Sequence, residues 1–284
     1  MGAMGLPMCA NLMRGGVHVA AFDRMPERLR LAAESGAQPV GSIGEVLRGA
    51  EVVFSMVFDD AALEEAVSAA VSEAAALAPG TVFIDMSTVS PQASARVAER
   101  LSRHGTHYVR APVSGSVPLA ETAKITVLAS GERADFDRIR PLLALLSQAQ
   151  QYVGPGEAAR VVKLAINLMV ATSTALIGEA LAFGERQGVP RDVLVDALNS
   201  SIVGSRHYES RALSLKSREY NANGPVHLVA KDIKLAVDIA RTCGLALPFT
   251  ECVQVYLTQL IELGRGNTEV TVLAEHAEKV ASSK

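Results

Sequence analysis

Tryptophan is absent from the 284 residues, and all aromatic residues together make up only 4%. A surface that stacks nucleic-acid bases needs aromatic faces, and one that binds a polyanion needs surplus cations. With 27 basic against 30 acidic residues and a net charge of −3, the chain has neither. Nucleic acid and anionic membrane surfaces are therefore not expected partners. Cysteine is equally scarce. Cys9, Cys243 and Cys252 form no disulfide framework and no paired metal spacing, which points to a reducing, cytoplasmic location. No basic segment followed by a cleavable apolar core opens the chain, so no secretory signal is expected. Uninterrupted apolar runs are also missing. The most apolar stretch, Leu164 to Phe183, carries Asn167, Thr172, Ser173, Thr174 and Glu179, and reads as a buried helix rather than a membrane span. What remains is ordinary globular chemistry, 49% hydrophobic and 20% charged, in a length suited to two domains.

The two halves differ in rhythm. In the first, short β-branched runs alternate with amphipathic ones. Strands are expected at Val17–Phe22, Glu51–Met56, Thr81–Asp85, His107–Arg110, Ile125–Ala129 and Gln150–Val153. Helices are expected at Pro26–Glu34, Ala61–Ala76, Pro91–Arg103 and Ala134–Ser147, the last despite Pro141. Apolar strands alternating with helices predict a mainly parallel sheet covered on both faces, a doubly wound α/β domain over residues 1–153. After Gly154-Pro155-Gly156 only helical spacing follows: Glu157–Gln187, Pro190–Ser200, Arg206–Ser217, His227–Thr242 and Leu247–Gly264. Gly188, Gly244 and Gly264 stand where helix C-caps belong. Residues 154–284 are thus expected to form an all-α domain.

The chain opens Met1-Gly2-Ala3-Met4-Gly5-Leu6-Pro7. Gly2 and Gly5 fit the last two glycines of a G-x-G-x-x-G turn, and Pro7 suits a helix's first turn. The run Val17–Phe22 and then Asp23 follow, with Asp23 18 positions after Gly5. A dinucleotide fold needs this layout: bare backbone near the pyrophosphate, a helix N-terminus aimed at it, and a carboxylate for the ribose 2′-hydroxyl. A glycine-rich helix cap fits the glycine pair alone about as well. The motif's first glycine and the strand leading into it are expected upstream of Met1, from an earlier start, leaving the domain N-terminally incomplete here.

With these features in place, the chain resembles the 3-hydroxyacid dehydrogenase family, which includes 3-hydroxyisobutyrate dehydrogenase and tartronate semialdehyde reductase. The resemblance rests on Gly2–Met8 with Asn11-Leu12, on Ile84-Asp85-Met86-Ser87-Thr88 with Pro91, and on Ala111-Pro112-Val113-Ser114-Gly115. Gly154-x-Gly156 with Lys163 and Asn167, and the pair Lys231-Asp232, complete it. The order is the family's own across nearly the whole chain. Departures stand at Arg110, where the family usually has Asp, at Ser116 for a second glycine, at Phe58 for Pro, and at Gly224 for an aromatic residue.

The resemblance implies a Rossmann-like domain followed by an all-α domain, and hydride transfer between NAD(P) and a small 3-hydroxyacid or its semialdehyde. It implies that Gly2, Ala3, Met4, Gly5, Asp23, Arg24, Met56, Val57, Ser87, Thr88 and Lys231 contact the cofactor. Ser114, Gly115, Ser116 and Lys231 would hold the substrate carboxylate, and Lys163 with Asn167 would be catalytic. Asp23 favours NAD, because a carboxylate accepts a hydrogen bond from a free 2′-hydroxyl and repels a 2′-phosphate, while Arg24 leaves NADP open.

Lys163 and Asn167 are four apart on one helix and share a face among apolar neighbours, so desolvation should lower the lysine's pKa toward acid/base duty near neutrality. On the residues alone, a lysine snorkelling to solvent, with Asn167 in a structural hydrogen bond, is the favoured reading, and the resemblance turns it toward catalysis. Ser87-Thr88 also reads as a helix cap, Ser114–Ser116 as a turn, and Lys231 as a solvated lysine paired with Asp232. His207-Tyr208 fits a specificity segment or a polar helix start. His104 and His107, separated by a helix-breaking glycine with no third ligand nearby, do not form a metal site. Cys9 fits the packed face of its helix. A homodimer or homotetramer acting on a small carboxylate is expected. The competing readings are a glyoxylate- or imine-type reductase, or a cofactor-deficient, non-catalytic scaffold of the same fold.

Overall fold

A computed structural model describes residues 1–72, 78–221 and 224–282. Its contacts divide the chain into two units, Met1–Lys163 and Leu164–Lys284.

The first unit alternates helix and strand. In order it contains α1 (Gly5–Arg14), β1 (Ala20–Ala21), α2 (Pro26–Glu34), β2 (Gln38–Pro39), α3 (Ile43–Leu47), β3 (Val52–Ser55), α4 (Asp60–Ser72) and β4 (Val82–Asp85). Next come α5 (Pro91–Ser102), β5 (His107–Arg110), β6 (Val113–Ser114), α6 (Val117–Glu121), β7 (Ile125–Ser130), α7 (Arg133–Leu146) and β8 (Ser147–Gly154). Strands β1 and β2 pair in parallel as a separate ribbon. The main sheet runs β3-β4-β5-β7-β6, with β8 on the other side of β7. Its β3-β4-β5 part is parallel, and β5 meets β7 antiparallel through Arg110 and Ser130. All four residues of β4 are buried, as a strand covered on both faces requires. The core on one side joins Met8 and Leu12 of α1 to Val82, Ile84, Val109, Val127, Ile139 and Leu143. That on the other joins Leu63 and Val67 of α4 to Phe83, Val97 and Leu101.

Sequence chemistry accounts for the element starts. Pro91 opens α5 and the Ser90 hydroxyl accepts from Ala93 N at 3.0 Å, while Ser42 caps α3 in the same way. The doubly wound class expected above is present. The expected strand Val17–Phe22 shrinks to Ala20–Ala21, because its ladder partner is a ribbon of only two residues, held by Gln38 N to Val19 O and Val40 N to Ala21 O. Of the helix expected at 61–76, residues 73–76 lie outside the described residues.

Helix α8 (Ala158–Arg186) runs through the division at Lys163. The units divide inside this helix rather than at the Gly154–Gly156 turn, because Ala159 and Arg160 are buried in the first unit. By length and mean hydropathy α8 would reach across a bilayer, a property that core helices share.

The second unit continues with α9 (Arg191–Ser200), α10 (Arg206–Glu209), α11 (Ala212–Ser217), α12 (Val226–Thr242), α13 (Pro248–Glu262) and α14 (Val272–Ser282). Gly188, Gly244 and Gly264 take φ of +84°, +72° and +75°, the left-handed geometry of C-caps. The helix expected at Arg206–Ser217 is broken in two. Arg211 N turns to Tyr208 O, three residues back, and the His207 carbonyl accepts instead from the Ser210 hydroxyl and an Arg211 Nη1. Helix α14 was not expected. It packs its Val272, Leu273 and Ala277 into the core of α8, α12 and α13. Its approach to α8 leaves no room for a side chain at Gly178, where an added Cβ would stand 2.1 Å from Ala274 O. Gly178→Ala should therefore destabilise the second unit by about 1–3 kcal/mol through overpacking against backbone. Chemical denaturation of the variant beside wild type checks this, and equal midpoints would contradict it.

Candidate active site

Parallel strands of an α/β sheet end at a crevice where ligands bind, and the first unit gathers its candidate residues at such strand ends. Gly2–Gly5 lead directly into α1, whose N-cap, Met4, makes no side-chain capping hydrogen bond. Leu6 N already donates to Gly2 O at 3.1 Å and Pro7 has no N–H, so Gly5 N is the first-turn amide open to an outside acceptor. Around Gly2 an added Cβ would meet nothing within 4 Å, and at Gly5 it would touch Met56 Cβ at 4.0 Å, so α1 begins against the end of β3. This bare, uncapped turn fits a dinucleotide pyrophosphate. Asp23 stands past β1. Its Oδ1 accepts from Met25 N at 2.8 Å, and its Oδ2 meets the amino group of Met1 at 2.7 Å. Burial alone would raise its pKa, but these bonds outweigh it and hold the carboxylate below its usual range. Arg24 is exposed and pairs with Glu65.

The loops after β3 and β4 are tied together through Ser87. Its hydroxyl accepts from Val57 N at 2.9 Å and donates to Asp85 Oδ1 at 2.6 Å. Asp85 is fully buried, and it pairs with the fully buried guanidinium of Arg160 in the first turn of α8. Arg160 also donates to Ser87 O at 2.6 Å, to the Tyr108 hydroxyl at 3.1 Å and to Ser94 Oγ at 3.3 Å. Burial opposes the charge on Arg160, yet Asp85, Tyr108 and Glu157 together outweigh it, and the pKa rises. Burial, and then Asp85, push the Tyr108 phenol well above its ordinary value. Thr88 is half-buried beside this network.

Ser114 is half-buried, and Gly115 takes φ +145°, where a Cβ would crowd Ile125 Cγ2 at 2.9 Å. Ser116 holds the N-cap position of α6. Arg110, directly before this segment, donates from Nε to Glu157 Oε1 at 2.8 Å and stacks over the Tyr108 ring at 4.6 Å. The turn into α8 is tethered by Ser130, whose hydroxyl donates to Gly156 O at 2.7 Å and accepts from Ala159 N at 3.1 Å. Lys163 follows Arg160 by three residues. It is half-buried rather than enclosed, and Val161 beside it is 56% exposed, so the dry surroundings expected from the sequence are only partly present in the single chain.

In the second unit Asn167 Nδ2 donates to Asp232 Oδ2 at 2.6 Å, and Lys231 Nζ meets Asp232 Oδ1 at 3.0 Å. Asp232 therefore joins two expected site residues. It fixes the Asn167 amide with Nδ2 toward α12 and Oδ1 turned away. Its pairing with Lys231 is one of the readings given above, whereas its bond to Asn167 was not expected. Arg160, Asp85, Tyr108 and Glu157 were missed as well; only a buried charge in an otherwise apolar helix start could have flagged Arg160.

His207 donates no charge here. Its ring is packed against Thr174, Nε2 to Oγ1 3.2 Å, and the Thr174 proton is used on Val170 O. Cys9 is buried, with its thiol pKa raised by that burial, which suits packing rather than reactivity.

Comparison with known proteins gives the family. Residues 1–154 match the NAD binding domain of 6-phosphogluconate dehydrogenase, and residues 157–276 match the NAD-binding domain of NADP-dependent 3-hydroxyisobutyrate dehydrogenase. The chain is 30% identical to 2-(hydroxymethyl)glutarate dehydrogenase of Eubacterium barkeri, over 93% of this chain and 87% of that protein. It is 28% identical to 2-hydroxy-3-oxopropionate reductase of Escherichia coli K12, over 100% and 97%. Its fold matches 3-hydroxyisobutyrate dehydrogenase of Mycobacterium tuberculosis, solved with L-serine, at a TM-score of 0.89 and 24% identity, covering 96% of this chain and 95% of that one. The chain belongs to the 3-hydroxyacid dehydrogenase family, and its two domains are those of NAD(P)-dependent hydroxyacid oxidoreductases.

One consequence concerns pH. Burial, and then Arg211, push His207 down from 6.5 to about 4. The folded chain keeps the ring neutral while the unfolded chain takes up a proton below about 6.5, so stability is lost as pH falls between those values. Thermal melts across that window should decline in wild type and flatten in His207→Gln. An equal decline in both would show that other groups carry the effect.

Proposed function

We propose that this chain oxidises a small 3-hydroxyacid, or reduces the matching semialdehyde, with Lys163 as the proton-transfer group. The observation that carries the reading is the line of Lys163 and Asn167 on α8, with Asn167 held by Asp232. Gly2–Gly5 and the start of α1 would receive the pyrophosphate, Met56, Val57, Ser87 and Thr88 the nicotinamide end, and Asp23 the adenosine ribose. When bound, the nicotinamide supplies a two-electron hydride carrier.

The chain's own residues do the rest. Neutral Lys163 takes the proton of the substrate hydroxyl at Nζ as the carbon–hydrogen bond breaks, and in reduction its ammonium returns that proton to the new alkoxide oxygen. Asn167 orients the hydroxyl oxygen with the second proton of Nδ2, the first being committed to Asp232, and its Oδ1 accepts from the Lys163 ammonium. Ser114, Gly115 and Ser116 offer backbone N–H and hydroxyl donors to the carboxylate, and Lys231 adds charge. A small anion needs such local donors, since the chain as a whole carries no positive surplus. A second reading, reduction of glyoxylate-type substrates, draws support from 25% identity to glyoxylate/succinic semialdehyde reductase 1 of Arabidopsis thaliana.

The apolar side chains of Val161, Met169, Leu176 and Phe183 form an exposed stripe along α8, 56–73% accessible, which supports a homodimer or homotetramer. Three free cysteines suit the cytoplasm.

A panel of small 3-hydroxyacids, semialdehydes and glyoxylate, each with NAD(H) and NADP(H), tests the reading; no turnover and no saturable NADH or NADPH fluorescence would leave a scaffold. Lys163→Ala should lower kcat by about 10²–10⁴-fold with NADH affinity retained, and near-normal turnover would refute the assignment. Asp23→Asn should weaken the preference for NAD over NADP by about tenfold, the loss of one charge-assisted hydrogen bond. An unchanged ratio of kcat/KM for the two cofactors would remove Asp23 from the ribose site.

A further inference from the structure

Asp85 and Arg110 are register partners on β4 and β5. Opposite them, Glu157 and Arg160 stand three residues apart where α8 begins, and so share one side of that turn. The charges cross-match: Asp85 meets Arg160, and Arg110 meets Glu157. Four charges with no net sum are closed inside the first unit, the inner pair fully buried and the outer pair 10% and 18% accessible. Each strand residue of the quartet opens a different loop. Asp85 leads to Ser87, which Arg160 grips by its carbonyl and which in turn holds Val57 N. Arg110 leads to Ala111–Gly115.

We infer that Glu157 and Arg160 are positioning residues: through the quartet, the helix turn that leads to Lys163 sets the Ser87 loop by way of Arg160 and the Ala111–Gly115 segment by way of Glu157. The assignment of these loops to cofactor and substrate rests on the function proposed above; the mechanical linkage does not. An ion pair of this kind adds little net stability over an apolar replacement, so its value lies in geometry. Arg160 is suited to it, since its planar fork reaches Asp85, Ser87 O, Tyr108 and Ser94 at once, which a single ammonium does not.

Amide hydrogen exchange followed by mass spectrometry tests the linkage without any substrate. In Arg160→Lys, exchange across residues 56–58 and 86–89 should quicken by about tenfold or more, with β7 and β8 unchanged. In Glu157→Gln the increase should move to residues 111–115 and spare 86–89. Ser87→Ala should affect 56–58 while Arg160 and Asp85 stay paired. In turnover, the first variant should raise KM for NADH and the second KM for the hydroxyacid, each with kcat less affected. Exchange that is unchanged, or that quickens evenly across the unit, would overturn the inference. Should Arg160→Lys not fold, Glu157→Gln and Ser87→Ala decide by the same criterion. If wild type binds no NADH, the functional reading fails, while the exchange pattern still decides this one.

Discussion

A guanidinium shut away from water must be answered by a carboxylate and by acceptors for its remaining protons, and Arg160 meets that demand only in one arrangement of its surroundings. Asp85, Ser87 O, Tyr108 and Ser94 come from a strand, a loop, a second strand and a helix. Moving any of them by an ångström would leave a buried charge or donor unanswered, at a cost of several kcal/mol. Apolar packing alone would tolerate such a shift more readily, because dispersion is non-directional. The polar core of the first unit therefore specifies where α8 begins, and with it where Lys163 stands.

The same logic explains the division of labour along the chain. In the proposed function backbone would do the work where a large anion is received: Gly2 and Gly5 flank a helix start whose N-cap, Met4, makes no side-chain capping bond. Side chains do it where a small group must be oriented. Asp232, shared between Asn167 and Lys231, turns an ambiguous amide into one with a defined donor end and acceptor end.

Much of this was legible in sequence because its signals are local. The alternation of β-branched and amphipathic runs, Ser90 before Pro91, and the glycines after helices each act within a few residues, and the corresponding strands, caps and left-handed turns are present. The losses share a cause as well. Helix α14 is held by its close approach to Gly178, 96 positions away, a contact that its own residues do not reveal. The break at Ser210 depends on which donors reach one carbonyl. Strand β1 is short because a ladder needs a partner, which its own residues cannot reveal. Among the candidate site residues, the glycines, Lys163 and Asn167 stand out through the family resemblance, since spacing alone also fits a helix cap and a snorkelling lysine. Arg160 does not, since its partners Asp85 and Ser87 lie more than 70 positions earlier.

Arg110 illustrates how a departure from a family pattern can be structural in meaning. An acidic residue at that position would lie beside Asp85 in register, placing two carboxylates next to one another in a buried sheet, where one of them would be driven to take up a proton. With Arg110 the neighbouring strands carry opposite charges, and the helix must then offer a carboxylate at Glu157 as well as a cation at Arg160. The side chain also lies over the Tyr108 ring and is largely buried, so its charge is spent within the unit rather than presented to a substrate. A change at this position thus alters the frame behind Ala111–Gly115, where Arg110 pairs with Glu157, while the donors that would meet a carboxylate, at Ser114 to Ser116, keep their chemistry.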